Sequence, residues 1–381
     1  GGRAAPRLTR LDQAARDADP DGAVYTVDFT ELVALDVRPG YERFGAAVFF
    51  DSKQAPVRIR WAAYGIDVRP SDKHWGRAKW VFRCSALVGI TAVEHLMMHH
   101  LIFANIVTSA DRQNLPRAHP IRRLIKPFSH GTPTVNLGAQ MFLTTEYGLL
   151  HRALALDFEG LRTGLVAGFK VSRIKGKPMA KHAESLKELG DLDFPFAADG
   201  RDFYDVVYKY MLAYTKVYYH SDKELHADRD LANFWAAIRV FEDTSLPPWE
   251  STTIEDVAAQ GASFVFSVTG LHHVVGNVAE YLISPEFASG RIRPGFQISD
   301  VESSMYGLLV AILTGMKAPK LMADYTHLLL PDEHLPKTTK IFLEFQEDLA
   351  ALCKKIDARN EQRKWKFMGF HPSRLLTSIS I

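Results

Sequence analysis

Cysteine is almost absent from this chain. Cys84 and Cys353 are the two cysteines among 381 residues, which excludes a disulfide framework and indicates a reducing compartment. An excess of charge of one sign is lacking too, because 46 basic and 44 acidic residues leave a net charge of +2. A balance of this kind gives no indication of nucleic acid or of an acidic partner.

The chain also lacks an apolar run that is free of polar residues and long enough to cross a membrane. The longest one, residues 81–108, contains Arg83, Glu94, Asn105 and three histidines. Residues 1–6 contain no apolar core of a signal peptide. We therefore expect a soluble, cytoplasmic protein with no strong membrane signal. The sequence leaves its oligomeric state open.

What the chain does contain is a histidine cluster inside that apolar run. His95, His99 and His100 lie beside Glu94 in a proline-free stretch that predicts a helix buried on nearly all sides. A buried ring nitrogen needs a partner, because an unpaired polar group in an apolar core costs a few kcal/mol. A metal ion is one solution. The other is a core histidine bonded to a carbonyl group or to buried water.

Spacing within the cluster leaves two pairs open. His95 and His99 are four residues apart and share a face of an ordinary α-helix. His95 and His100 are five apart, and they converge only if the helix contains a π-type turn.

A second pair of donors follows far along the chain. His273 and Asn277 are four residues apart on one helix face, within the mostly apolar stretch 262–283. On its own such a pair is more often structural. Joined to the first cluster, it supplies nitrogen and oxygen donors without thiolate, which favour iron or manganese over a structural zinc site.

Residue patterns predict a mainly α fold with a few short β-strands near the N-terminus. Alternating or β-branched residues predict strands at 25–29, 47–50 and 56–61, and long helices begin at Trp75. Ser251 to Asp256 has the Ser/Thr and acidic residues of a helix start. Residues 175–193 form a charged connector. We expect a polar lead-in over residues 1–24 and a single domain over residues 25–381.

Several motifs in order resemble the lipoxygenase family, over roughly residues 22–381. They are Trp75-Gly76-Arg77-Ala78-Lys79, the His95–His100 cluster, Leu115-Pro116-Arg117-Ala118-His119-Pro120, Leu124-Ile125-Lys126-Pro127, Thr132, Val135-Asn136, Phe194-Pro195-Phe196-Ala197-Ala198-Asp199-Gly200, Tyr218-Tyr219-His220-Ser221-Asp222, His273 with Asn277, and Ser378-Ile379-Ser380-Ile381. The resemblance implies a lipoxygenase-like helical catalytic domain, here without the N-terminal β-barrel domain of typical members.

The resemblance also implies one non-heme metal, iron or alternatively manganese. Counted from Trp75, the family's first ligand position falls on Ile90, the second on His95, and a non-ligand histidine on His100. Because His95 and His100 keep the family's five-residue ligand spacing, the resemblance implies that the ligands are His95, His100, His273, Asn277 and the carboxylate of Ile381. His99 remains the alternative to His100.

The activity that the resemblance implies is oxygenation of an apolar substrate. A metal-bound hydroxide, with no further catalytic side chain, would take a hydrogen atom from an allylic C–H bond of a polyunsaturated fatty acid. Addition of O2 would then give a hydroperoxide. Two alternatives stay open, namely a different oxidation of a specialised metabolite on the same scaffold and a non-catalytic homologue that binds a lipid.

Overall fold

The computed structural model describes residues 3–174, 194–239, 246–276, 281, 284–295, 301–314 and 319–379. Two of the predicted ligands, Asn277 and Ile381, lie outside the described residues, and so does the predicted charged connector at 175–193.

A small antiparallel sheet lies at the N-terminal end, with its strands in the order β1-β2-β3-β4-β5. The strands are β1 (Thr9–Arg10), β2 (Tyr25–Asp28), β3 (Ala46–Phe50), β4 (Pro56–Trp61) and β5 (Ile66–Val68). Val48 pairs with Val27 on one side and with Ile59 on the other, and all three are buried. On β4, Ile59 and Trp61 are buried and Arg60 between them is exposed, as the period-two pattern predicted, but Arg58 is buried as well. The three predicted strands are confirmed.

Helices make up most of the remaining described chain, which confirms the predicted mainly α fold. They are α1 (Gln13–Asp17), α2 (Trp75–Asn114), α3 (Pro120–Ile125), α4 (Thr132–Phe142), α5 (Leu149–Ala153), α6 (Phe158–Ile174), α7 (Pro195–Tyr218), α8 (Asp222–Ala227), α9 (Arg229–Arg239), α10 (residues 254–276), α11 (Val301–Thr314) and α12 (Leu335–Gln362).

The central element is α2, a continuous helix of 40 residues. Its first part is an α-helix (Trp75–Gly89), its middle a π-helix (Ile90–Ala104) and its last part an α-helix again (Asn105–Asn114). Within the described chain it is the one helix whose length and apolar character could span a membrane, but 78% of its most apolar window is buried inside the protein. That degree of burial is typical of the core helix of a globular fold.

Helix α10 packs beside α2 and contains a π turn of its own. It begins at a capping box in which Thr253 and Asp256 satisfy each other's backbone N–H groups, as the sequence predicted. After Ile254–Phe266 the π turn Ser267–Leu271 follows, and then His272–Gly276. A Cβ atom on Gly270 would lie 2.5 Å from a ring carbon of Phe370, so only glycine lets this ring pack against the π turn.

The lead-in is attached to the sheet by charge as well as by strand pairing. The guanidinium group of Arg58 on β4 binds the carboxylates of Asp19 at 2.6 Å and Asp21 at 2.8 Å, and all three side chains are largely buried. Strand β1 in the same lead-in pairs with β2. The domain boundary that we placed after residue 24 stays a prediction.

Candidate metal centre

Three imidazole rings meet between α2 and α10. The Nε2 atom of His95 lies 2.9 Å from that of His272 and 3.1 Å from that of His100, and the third side of this triangle is 2.9 Å. All three residues are buried. Among the described residues this is the one group of three or more histidine, cysteine or acidic side chains arranged to hold a metal ion.

The π-helix of α2 is what brings His95 and His100 together. Residues five apart in an α-helix point about 140° away from each other. Across a π turn, with hydrogen bonds from residue i to i+5, they lie on the same face. The prediction that this pair needs such a turn is confirmed by the segment Ile90–Ala104. His99 is buried outside the triangle, with its ring 6.2 Å from that of Phe103.

On α10 the structure brings His272 into the cluster and leaves the predicted ligand His273 outside it, half-buried. The two histidines are neighbours, and the π turn Ser267–Leu271 just before them changes which one faces α2. The prediction of His273 assumed an ordinary α-helix, and a π turn shifts by one residue the position that faces a given side. Ile90, at the family's first ligand position, is an apolar core residue.

Asn136 on α4 orients the ring of His100. Its amide nitrogen donates to the carbonyl oxygen of His100 and to Oδ1 of Asn105, both over 2.7 Å. Its own Oδ1 is therefore the atom that faces Nδ1 of His100, at 3.0 Å. This acceptor holds the proton on Nδ1 and leaves the lone pair of Nε2 for the cluster.

Sequence reasoning missed Arg3. This buried residue donates from Nε to the carbonyl oxygen of Val275 over 2.8 Å and from Nη2 to the hydroxyl group of Thr91 over 3.2 Å. It thereby joins α10 to α2 next to the three histidines. An arginine in a polar N-terminal stretch carries no sequence signal for such a contact, because its partners are 88 and 272 residues away.

Burial and neighbouring charges disfavour a positive charge on His95. Burial, followed by the neighbouring charges of His100, His272 and Arg3, holds the pKa of His95 well below its usual value. The carboxylate of Glu94 binds Nε of Arg7 at 2.7 Å. The acidic residue adjacent to His95 is therefore paired with a cation of its own.

These residues fit a metal ion. Three nitrogen atoms separated by about 3.0 Å have the spacing of adjacent ligands around an octahedral ion with metal–nitrogen bonds of about 2.1 Å. Nitrogen lone pairs that point at one another in a dry core are poorly solvated, and a cation bound by all of them would stabilise them. Imidazole suits iron as well as zinc and copper, and the absence of thiolate from this cluster disfavours a structural zinc site.

A family model, named relatives and solved structures all match this chain. The family model described as Lipoxygenase matches residues 173–286. Lipoxygenase 6, chloroplastic, of Arabidopsis thaliana is 23% identical over 403 residues, which cover 87% of this chain and 42% of the relative. A potato (Solanum tuberosum) protein named probable linoleate 9S-lipoxygenase 7 is 23% identical, with 56% of this chain and 27% of the relative covered.

Solved lipoxygenase structures have the same fold. The structure of a lipoxygenase variant in complex with arachidonate has a TM-score of 0.83 at 19% identity, and the match covers 100% of this chain and 65% of that one. The coral 8R-lipoxygenase has a TM-score of 0.80 at 17% identity, with the same coverage. The chain thus spans less than half the length of these curated relatives and about two thirds of the solved structures. The resemblance to the lipoxygenase family is therefore confirmed, in sequence over part of the chain and in fold over all of it.

Proposed function

We propose that this chain is the catalytic part of a non-heme metal-dependent oxygenase. It would remove a hydrogen atom from an allylic C–H bond of a polyunsaturated fatty acid, and O2 addition would give a hydroperoxide. The observation that carries the proposal is the triangle of Nε2 atoms of His95, His100 and His272 in the core of a lipoxygenase fold.

Iron, or manganese as the alternative, would be held by His95, His100 and His272. Asn277, His273 and the carboxylate of Ile381 stay predicted ligands, and the metal content of variants at these positions decides among them. When bound, such a metal supplies a one-electron oxidant strong enough for a weak C–H bond.

The protein's own residues contribute a dry, ordered environment. Leu96, Ile102 and Phe103 flank the histidines on α2 and are buried. Apolar walls of this kind exclude water and so protect a reactive carbon radical from side reactions. Asn136 and Arg3 hold the ligand helices in place and thus limit the movement needed when the substrate reacts.

A fatty acid is the substrate class that the comparisons favour. One structural neighbour is a complex with arachidonate, and one relative's name refers to linoleate. The surroundings of the site agree with this choice, because the buried apolar side chains of Leu96, Ile102 and Phe103 suit a hydrocarbon chain.

Metal analysis and oxygen uptake together test the proposal. Purified protein should contain close to one equivalent of iron or manganese, and it should consume O2 with linoleic or arachidonic acid to form an ultraviolet-absorbing conjugated diene hydroperoxide. Stearic acid, which has the same charge but no allylic C–H bond, is the matched control. Protein with less than half an equivalent of any transition metal would contradict the proposal, and so would metal-replete protein that is inert towards both substrates.

A different oxidation, acting on a specialised metabolite, is the second candidate. Ile90 at the family's first ligand position and the place of His272 in the cluster favour it, because they change the ligand set. Metal-replete protein that consumes O2 only with another small molecule would support this candidate, and labelled oxygen would show whether O2 enters the product. Metal-free protein that still binds fatty acids would instead indicate a lipid-binding homologue.

A further inference from the structure

Helix α11 directs bulky apolar side chains away from the protein. The side that packs against α5 presents the small residues Ser303 and Gly307, both buried, and Ser303 donates to the carbonyl oxygen of Ala153 over 2.7 Å. On the opposite side the exposed fraction is 60% for Met305 and 46% for Leu308. A surface helix of a monomer has the reverse arrangement, because its bulky apolar stripe is what packs on the core. The outward side of α11 therefore has the composition of a buried one.

Exposed apolar side chains continue from α11 across the adjoining α4, and we call this surface the outer face. Its nine members are Leu137, Met141 and Phe142 on α4, Tyr147 in the turn after it, and Val301, Met305, Leu308, Leu309 and Ile312 on α11. Beside α4 it deepens into a groove of about 570 Å³ formed by α4 and the turn 145–149. At roughly 200 Å² for each large side chain, about half exposed, the outer face offers on the order of 1,000 Å². The largest apolar patch of an ordinary monomer measures about 300–600 Å².

The two segments that form the outer face contain no basic residue. Residues 132–149 and 301–314 contain two charged residues, Glu146 and Glu302, and Glu302 is paired with Arg291 at 2.8 Å. A helix that docks on an anionic membrane has lysine or arginine beside its apolar residues, and a surface that binds nucleic acid uses them for the phosphates. An apolar protein surface is therefore the partner that this face fits best.

The apolar stripe of α11 is also symmetric along the helix. Val301, Met305, Leu308 and Ile312 are separated by four, three and four residues, the spacing of the seam in a two-helix coiled coil. This spacing is the same in both directions. An antiparallel copy of α11 would therefore place Met305 against Leu308 of the second copy, and Val301 against its Ile312. A two-fold interface between identical chains requires a self-complementary surface of this kind.

We propose that the outer face is a homodimer interface, in which the α11 helices of two copies pair antiparallel about a two-fold axis. Its area is sufficient for the roughly 800 Å² that each partner contributes to a stable interface. The groove beside α4 gives the second copy a recess for an apolar side chain. The proposal does not depend on the metal centre, because no residue of the outer face is a candidate ligand.

Sedimentation velocity of the natural chain at micromolar concentrations should show a dimer. Leu308→Glu should raise the dissociation constant of that dimer at least tenfold, because dimerisation would bury a carboxylate without a partner. Its circular dichroism and metal content should remain those of the natural chain. Leu343→Glu is the matched control, because Leu343 is also a helical leucine, 53% exposed on α12 and outside the outer face. It should dimerise like the natural chain.

Cysteine cross-linking tests the antiparallel pairing independently. Met305→Cys and Leu308→Cys proteins, mixed and then oxidised, should form more disulfide-linked dimer than either protein alone, because position 305 faces position 308 of the second copy. The natural chain, whose cysteines are Cys84 and Cys353, measures the background.

Three results would overturn the inference. One is a natural chain that stays monomeric, and binding of that monomer to phosphatidylcholine vesicles would then assign the outer face to a lipid surface. Another is a dimer that Leu308→Glu and Leu343→Glu weaken equally. The third is a mixture of the two cysteine variants that cross-links no more than each variant alone. Each of these results would leave the proposed oxygenase function intact.

Discussion

Nδ1 of His100 lies 3.0 Å from Oδ1 of Asn136, and this contact determines which ring nitrogen His100 turns towards His95 and His272. The orientation of the amide is settled by its other side, because its nitrogen donates to the carbonyl of His100 and to Asn105. Asn136 on α4 thus sets the ring orientation of the candidate ligand His100 on α2.

Asn136→Ala should weaken metal binding by about 10-fold to 100-fold, the usual effect of removing the partner of a ligand histidine. Competition with a chromogenic chelator measures it. Asn114→Ala is the control, because Asn114 is the last residue of α2 and its amide nitrogen donates to the carbonyl oxygen of Ala110. Equal metal affinities for the natural chain and the Asn136 variant would show that His100 is oriented by other contacts.

Two pairs of adjacent histidines provide matched tests of the ligand set. His100→Ala and His272→Ala should each lose most of the bound metal, because each removes one corner of the nitrogen triangle. His99→Ala and His273→Ala should retain clearly more. Elemental analysis of the four purified variants measures this.

The reverse order within either pair would identify the other histidine as the ligand. In particular, greater metal loss from His273→Ala than from His272→Ala would support the pair His273 and Asn277 that the sequence predicted.

Arg3→Gln should lower the free energy of unfolding by about 1–3 kcal/mol, because it removes a charged donor from the buried carbonyl of Val275. It should also speed the release of metal to a chelator, since Arg3 joins the two ligand helices. Arg10→Gln, at an exposed position of β1, is the control. Urea unfolding that gives the same stability for both variants would show that Arg3 does not hold the helices together.

The titration of Asp111 should lower the free energy of unfolding as the pH rises from about 4 to about 6. Burial raises the pKa of its carboxyl group from 3.8 to about 6, against the smaller opposing effects of Arg122, Arg112 and His119. In this range the unfolded chain has lost a proton that the folded chain keeps, so the stability that is present below pH 4 decreases as the pH rises through the folded-state value.

Asp111→Asn removes this titration. Relative to the natural chain, the variant should gain on the order of 2 kcal/mol between pH 4 and pH 7.5, measured by urea unfolding at both pH values. A difference in stability between the two proteins that does not change with pH would contradict the prediction.

Residues Thr377 to Ile379 lead the C-terminal segment into the core. Ser378 donates from its hydroxyl to the carbonyl of His130 over 2.8 Å, and Ile379 is buried. We therefore keep the prediction that the carboxylate of Ile381 binds the metal. Two glycines added after Ile381 should release metal and leave the helix content nearly unchanged, as measured by elemental analysis and circular dichroism. Ile381→Val, which retains the carboxylate, is the control, and an extended protein with full metal content would exclude this role.

Much of the fold follows from local pattern. The apolar run around His95 is long enough to require a buried helix, and the alternation of apolar and basic residues in β4 predicted a strand, which the structure contains. Thr253 and Asp256 mark a helix start by their own hydrogen bonds. The five-residue spacing of His95 and His100 predicted that these two rings converge only across a π turn, which the helix contains. Each of these features depends on residues a few positions apart, which a sequence shows directly.

The sequence by itself thus determined the helical class, the N-terminal strands and the helix that contributes two of the imidazoles. Only the tertiary structure decided which of the neighbours His272 and His273 joins them, because the π turn before them packs against Phe370, about a hundred residues away in the chain. Arg3 and Asn136 became part of the site in the same way. A side chain's neighbours across the core depend on how helices and loops pack, and the spacing of residues along one helix does not contain that information.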